Sequence, residues 1–198
     1  MTAATDINDR IARRVRDLRD ERGLTLDALA ERSGVSRSMI SLIERGRSSP
    51  TASVLDKLAG GLDVTLSALF ESSPRDAAPS PLARRAEQVV WTDPASGYVR
   101  RSLSPSMPAP IQLVEVTFPP GRRVAYDSVA HDITIHQQVW MIDGVMELSV
   151  GGSTHRLEAG DCLAMQLDGS TVFRNPSRKP AHYLVALATV HSSPRRSA

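Results

Sequence analysis

Arginine dominates the chemistry this chain can offer. Of its 24 basic residues only Lys57 and Lys179 are lysines, which leaves 22 guanidinium groups. A guanidinium is a planar fork of donors that matches phosphate oxygens and the O6/N7 edge of guanine; GC-rich codons are the plainer source of the same bias. Acidic residues number 22, for a net charge of +2, which excludes both a bulk polycation wrapped by nucleic acid and an acidic, solvating chain. The balance holds in each half, with 12 basic and 11 acidic residues through Arg75 and the same numbers from Asp76 onward. Affinity for a polyanion must therefore come from placement, and Arg37, Arg45 and Arg47 lie on or beside one short predicted helix. Softer groups are few. The single cysteine, Cys162, cannot form an intramolecular disulfide and reads as a small buried hydrophobe rather than a redox thiol. His131, His136, His155 and His182 read as ordinary polar or surface side chains.

The elements that must hold these groups change character along the chain. From about Asp9 to Glu71 the apolar period is helical: Ile11, Val15 and Leu18 make one stripe on a charged helix that ends at Gly23. Thr25 is placed to cap a second helix, Ser36 a third, Ser49 (with Pro50 in the first turn) a fourth, and Thr65 a short last one. Ser72 to Pro81, with three prolines and three serines, reads as an exposed linker. Beyond it come short β-branched and aliphatic runs: Glu87–Trp91, Tyr98–Leu103, Ile111–Phe118, Val139–Ile142, Val145–Val150, Thr154–Leu157, Asp161–Leu167 and Ala181–Val190. Many short, evenly spaced strands indicate a sandwich or barrel. Ser192 to Ala198, with Arg195 and Arg196, reads as a solvated tail. Met1 to Arg16 lacks the apolar run of a signal peptide and no segment has the ~18 apolar residues of a membrane span, so a soluble, cytoplasmic protein with no membrane contact is expected.

The segment Leu26 to Arg45 resembles the helix-turn-helix of phage-repressor-type (Cro/cI-like, XRE) regulators. Ala30 is small where two helices cross, Gly34 suits the left-handed turn, and Leu29, Val35, Ile40 and Ile43 fill the apolar positions. The resemblance continues through Ile43-Glu44-Arg45-Gly46, Ser49-Pro50-Thr51 and Leu55-Asp56-Lys57-Leu58-Ala59. It implies that the start of the third helix enters the major groove of double-stranded DNA, with Arg37 forked onto guanine, Ser38 pairing less selectively, and Ser41 or Leu42 touching a base edge or thymine methyl. Met39 reads as a core or rim contact. The family's glutamine is replaced by Leu26, so its phosphate contact falls to Thr25 or to the amides there. Thr25, Ser36, Arg37, Ser38, Ser41, Leu42, Arg45 and Arg47 form the expected DNA-facing set; Ser48, and less directly Arg13 or Arg14, are further phosphate candidates. Glu44 is expected to cap or to pair with a nearby arginine. The bland alternatives are a bundle that merely packs, a protein-binding helix-turn-helix, and solvated surface arginines. One head reads half a site, so a homodimer on an inverted repeat is implied.

The C-terminal half resembles the cupin family. A counterpart of the first cupin motif runs from Pro119-Pro120-Gly121 to Gly144, and one of the second from Gly160 to Asn175, with Gly151-Gly152 turning a hairpin between them. A metal-binding cupin uses three His and one Glu; the corresponding positions here hold His131, Ile133, Thr171 and Gln137. The ligand set is not carried over, so no metal and no cofactor is expected. His136 has the opposite strand parity to Gln137 and should face outward. His131, Gln137, Val139, Met141 and Thr171 are the expected pocket residues, a mostly apolar lining for an uncharged or zwitterionic small-molecule effector. Arg122 and Arg123 lie in a turn and read as solvated.

The expected architecture is two-domain: an all-α lambda-repressor-like helix-turn-helix head (8–71), a Pro/Ser linker (72–83), an all-β cupin (double-stranded β-helix) barrel (84–191), and a tail (192–198). The function it implies is a non-enzymatic, sequence-specific transcriptional regulator, a homodimer tuned by an effector in the barrel. Two alternatives stay open: a metal-dependent cupin enzyme carrying a DNA-binding head, and a constitutive regulator whose barrel only dimerises.

Overall fold

The computed structural model describes residues 7–71, 80–107, 109–127 and 134–190. The expected linker residues 72–79, the tail 192–198, His131 and Ile133 lie outside them.

The head comprises α1 (Ile7–Glu21), α2 (Leu26–Ser33), α3 (Arg37–Glu44), α4 (Ala52–Gly61) and a 3-10 helix (Leu66–Phe70). Its starts are set by hydroxyl caps, each absorbing an amide that the helix leaves unpaired. Thr25 accepts from the Ala28 N–H, Ser36 from Met39, and Thr65 from Ala68. The fourth cap is Thr51, which accepts from Val54, and not Ser49. The helix begins later than expected because the Ala52 N–H is taken by the Asp93 carboxylate at 3.0 Å. Gly34 leaves α2 with φ 67° and sets up the tight turn into α3. The stripe Ile11, Val15 and Leu18 closes on Leu29, Ile40, Ile43, Leu55, Leu58, Leu62 and Leu69, all buried. Helices α2 and α4 approach closely at Gly61: a Cβ there would stand 2.8 Å from the Ser33 Cβ.

Ten antiparallel strands follow: β1 (Val90–Thr92), β2 (Val99–Ser102), β3 (Ile111–Phe118), β4 (Arg123–Tyr126), β5 (Thr134–Asp143), β6 (Val145–Val150), β7 (Ser153–Glu158), β8 (Cys162–Gln166), β9 (Thr171–Arg174) and β10 (Ala181–Val190). They form a six-stranded sheet, β1-β2-β3-β10-β5-β8, facing a four-stranded one, β4-β9-β6-β7. From β3 onward the chain changes sheet at every step except the β6–β7 hairpin, which Gly151-Gly152 turns. This eight-strand order is the jelly roll of the cupin fold, built as two facing sheets rather than one continuous hydrogen-bonded cylinder.

Strands β4 and β9, which pair with each other, have no counterpart among the expected runs. Arg123, expected in a turn, opens β4. Strand β5 starts five residues before the expected Val139, because its polar Gln137 points inward with Ile135, Val139 and Met141. Among the described residues no helix is long and apolar enough to cross a membrane.

The head is seated against the sandwich. Besides the Ala52–Asp93 bond, Thr65 Oγ1 donates to Gln112 Oε1 at 2.9 Å, and the Gln112 amide donates to Glu71. Lys57 pairs with Asp127 at 3.4 Å. A run of ring contacts crosses the seam, Phe70–Trp91 at 5.3 Å, Trp91–Tyr98 at 5.8 Å and Tyr98–Phe118 at 5.6 Å.

Candidate nucleic-acid interface and internal cavity

Helix α3 buries Ile40 and Ile43 and turns Arg37, Ser38, Met39 and Leu42 outward, with Ser41 half-buried. The exposed edge thus begins at the helix N-terminus, where amide donors and the dipole favour a phosphate oxygen. Ser36 Oγ lies 3.2 Å from Ser38 Oγ while serving as the cap. Arg37 Nε is 3.1 Å from Asp27 Oδ1, with both side chains largely exposed. Such a pair contributes little and can exchange partners at low cost. Arg45 Nε donates to the Ser41 carbonyl at 2.9 Å, Arg47 is exposed, and half-buried Ser48 contacts Met39 Sδ at 3.8 Å. Thr25 is exposed at the adjoining α2 start. Arg13 Nε donates to the Asp9 carbonyl at 3.3 Å. Arg14 is committed elsewhere, donating to the Ala68 carbonyl at 3.1 Å with Glu71 at 3.9 Å, and so ties α1 to the 3-10 helix.

Glu44 takes the pairing role expected of it. It is buried, and Arg19 holds it in a fork, Nε–Oε1 at 2.6 Å and Nη2–Oε2 at 2.9 Å. The hydrogen bond to Glu44 raises the Arg19 pKa further. Arg16 donates to the Glu44 carbonyl from the same helix. The end of α3 is thereby clamped to α1, which fixes the angle of the exposed edge.

The cavity lies where the head meets the open end of the sandwich. Asp56, Thr65, Leu66 and Ser67 line it from the head; Tyr98, Arg100, Tyr126, Gln137, Thr171 and Tyr183 line it from the sheets, with Val114, Val116, Ile135 and Leu187 between. Its volume is about 90 Å³ on a measure where one water needs ~10–15 Å³, enough for several waters or a small organic molecule. Of the expected pocket residues, Gln137 and Thr171 face this space; Val139 and Met141 also point inward but are packed in the core outside the lining.

Two charged groups that sequence reasoning missed stand in its walls. Arg100 is 4% exposed; its Nη2 donates to Ser67 Oγ at 2.8 Å and its guanidinium lies 4.2 Å from the Phe70 ring centroid. Among the described residues its Nε has no hydrogen-bond partner and no carboxylate is within ion-pair range. Burial pulls its pKa down. Across the seam, burial, and then the charge of Asp127, push the Asp56 carboxyl up to about 7 against the pull of Lys57. Tyr98 and Tyr126 share a 3.1 Å hydroxyl contact, and burial raises both phenols and that of Tyr183, so all three are neutral donors. Arg100 shares its inward parity with Tyr98, a signal available in the predicted strand Tyr98–Leu103. Asp56 carried none, because its wall exists only when the sandwich is docked.

Of the four cupin metal positions the two described ones, Gln137 and Thr171, do not fit a metal. Gln137 Nε2 lies 4.0 Å from Met165 Sδ, and Gln137 and Thr171 offer a neutral amide and a hydroxyl where a carboxylate and an imidazole are needed. His136 faces outward and is exposed, as its parity requires; His155 is exposed and His182 Nε2 is 3.1 Å from Glu115 Oε1. Cys162 corrects the expectation of a buried hydrophobe: it is exposed, because Leu163 and Met165 take the inward positions of β8.

The helix-turn-helix family model HTH_3 matches residues 15–69. The HTH-type transcriptional regulator SutR of Escherichia coli (strain K12) is 31% identical over 169 residues, 85% of this chain and 89% of SutR, so the similarity runs through both halves. The HTH-type transcriptional regulator SinR of Bacillus subtilis (strain 168) is 37% identical over 62 residues, 31% of this chain and 56% of SinR. An HTH_3 family transcriptional regulator from Vibrio cholerae, 26% identical, superimposes with a TM-score of 0.73 over 96% of this chain and 100% of that one. With its capped helix pair and outward α3 edge, the chain belongs to the HTH_3, XRE-type family of helix-turn-helix transcriptional regulators.

Proposed function

We propose that this regulator binds an operator as a homodimer and that a small molecule in the seam cavity changes its operator affinity. The working division is a head at 8–71, a linker at 72–83 and a sensor at 84–191. The observation that carries the reading is that the cavity wall is shared, Asp56 and Ser67 from the head and Arg100 and Gln137 from the sandwich. A molecule that binds more tightly when the head is seated shifts the head's placement by its differential affinity, and operator DNA acts back on it equally. No catalytic step is assigned, since the two described cupin ligand positions, Gln137 and Thr171, offer only neutral groups.

On DNA, Arg37, Ser38, Ser41 and Leu42 read bases while Thr25, Ser36, Arg45 and Arg47 hold phosphates. The test is duplex selection from a random pool, followed by affinity measurements across salt. Arg37→Ala should relax base preference at one position by ~10–100-fold, whereas Arg47→Ala should weaken all duplexes alike and reduce the salt slope by ~1. Equal loss of sequence preference in both variants would overturn the assignment.

A further inference from the structure

We infer that the seam cavity takes a small organic carboxylate, held by the guanidinium of Arg100. The inference rests on the reading of the cavity as a ligand site and adds the chemistry of its occupant. A buried guanidinium without a counter-charge is costly unless paired. Arg100 is 4% exposed, spends one amino group on neutral Ser67 and one face on Phe70, and leaves Nε without a partner among the described residues. Among the described residues nothing near it supplies the missing anion. The phenols of Tyr98, Tyr126 and Tyr183 are held neutral by burial, and burial drives Asp56 toward its protonated form. Donors from the Tyr98–Tyr126 pair and Thr171 add to a site biased toward a negative group, while Val114, Val116, Ile135 and Leu187 leave room for a short hydrocarbon body. The cavity's charge thus favours an anion over the uncharged or zwitterionic occupant expected from sequence: a buried guanidinium shares the cavity with a carboxyl that burial holds protonated up to about pH 7.

The experiment compares butyrate with butyramide and benzoate with benzamide, using calorimetry and thermal shift on the full-length wild-type protein. Each pair has nearly equal shape and differs in charge. At least one carboxylate should bind ~10-fold or more tightly than its amide. Arg100→Gln should weaken that carboxylate by a similar factor, and Arg100→Lys, which keeps charge but loses the fork, should fall between. Amides binding as well as carboxylates, or no carboxylate binding at all, would overturn the inference without recourse to a variant. So would an Arg100→Gln protein with wild-type near-UV dichroism and undiminished carboxylate affinity. Operator affinity measured with the carboxylate at saturation separates the two levels. Arg100-dependent binding with unchanged DNA affinity supports the anion site and sinks the proposed coupling; an amide that alone shifts DNA affinity does the reverse.

Discussion

A carboxyl that folding protonates makes stability run against pH. Asp56 titrates near 7 in the folded chain, raised by burial and by Asp127 across the seam and opposed by Lys57, and near ~3.9 when unfolded. Between those values the folded state binds a proton that the unfolded state has released, so this group's contribution to stability falls as pH rises from about 4 through about 7 and is flat above. Asp56→Asn, which keeps the shape without the charge, should abolish that slope and add on the order of 1–3 kcal/mol above neutrality. Denaturant unfolding of both proteins from about pH 5 to about pH 8 checks this; parallel curves would show that Asp56 ionises freely.

Elements in this protein are placed by contacts of very different reach, and that decided which of them the sequence disclosed. A hydroxyl cap acts over three residues, so Thr25, Ser36 and Thr65 could be read directly. The start of α4 could not, because its first amide is held by Asp93, 41 residues away. Parity along one strand is equally local: it put Gln137, Val139 and Met141 inward and His136 outward, and it contained Arg100 for the reading. Strands β4 and β9 are four residues each, carry an exposed arginine at one end and are fixed by pairing with distant strands, β4 with β9 and β9 also with β6, so neither is long enough to show a pattern alone. Helix crossing is likewise a property of pairs. Replacing Gly61 by Ala would gain up to ~1 kcal/mol of helix propensity in isolation. Against α2 the added Cβ meets Ser33 Cβ at 2.8 Å and the Ser33 backbone at 3.1 Å, none of which can rotate away. The overpacking wins, and Gly61→Ala should destabilise the head by ~1–3 kcal/mol, measured by thermal unfolding. A rise in Tm would mean that the helices separate more easily than the contact implies.

At the scale of the whole molecule, the outer face of the six-stranded sheet carries an apolar patch among polar and charged neighbours. Trp140 is 48% exposed beside Leu184 on β10 and Cys162 on β8, with Ile142 and Ile111 also exposed on the same sheet. Under the homodimer proposed above, this patch takes the second copy. Trp140→Glu should convert the dimer to monomer in sedimentation and weaken binding to a palindromic duplex far more than to a half-site. A dimer that survives the substitution would move the interface elsewhere.

The same geometry gives the chain two built-in optical reporters. Its two tryptophans sit apart: Trp91, 3% exposed, lies tilted against Phe70 and edge-on to Tyr98 at the head–sandwich contact, and Trp140 stands exposed on the outer sheet. Unseating the head would move Trp91 emission to the red, while pairing of two copies would move Trp140 emission to the blue. With each indole replaced by phenylalanine in turn, one fluorescence spectrum would distinguish a rearrangement inside the subunit from an association between subunits.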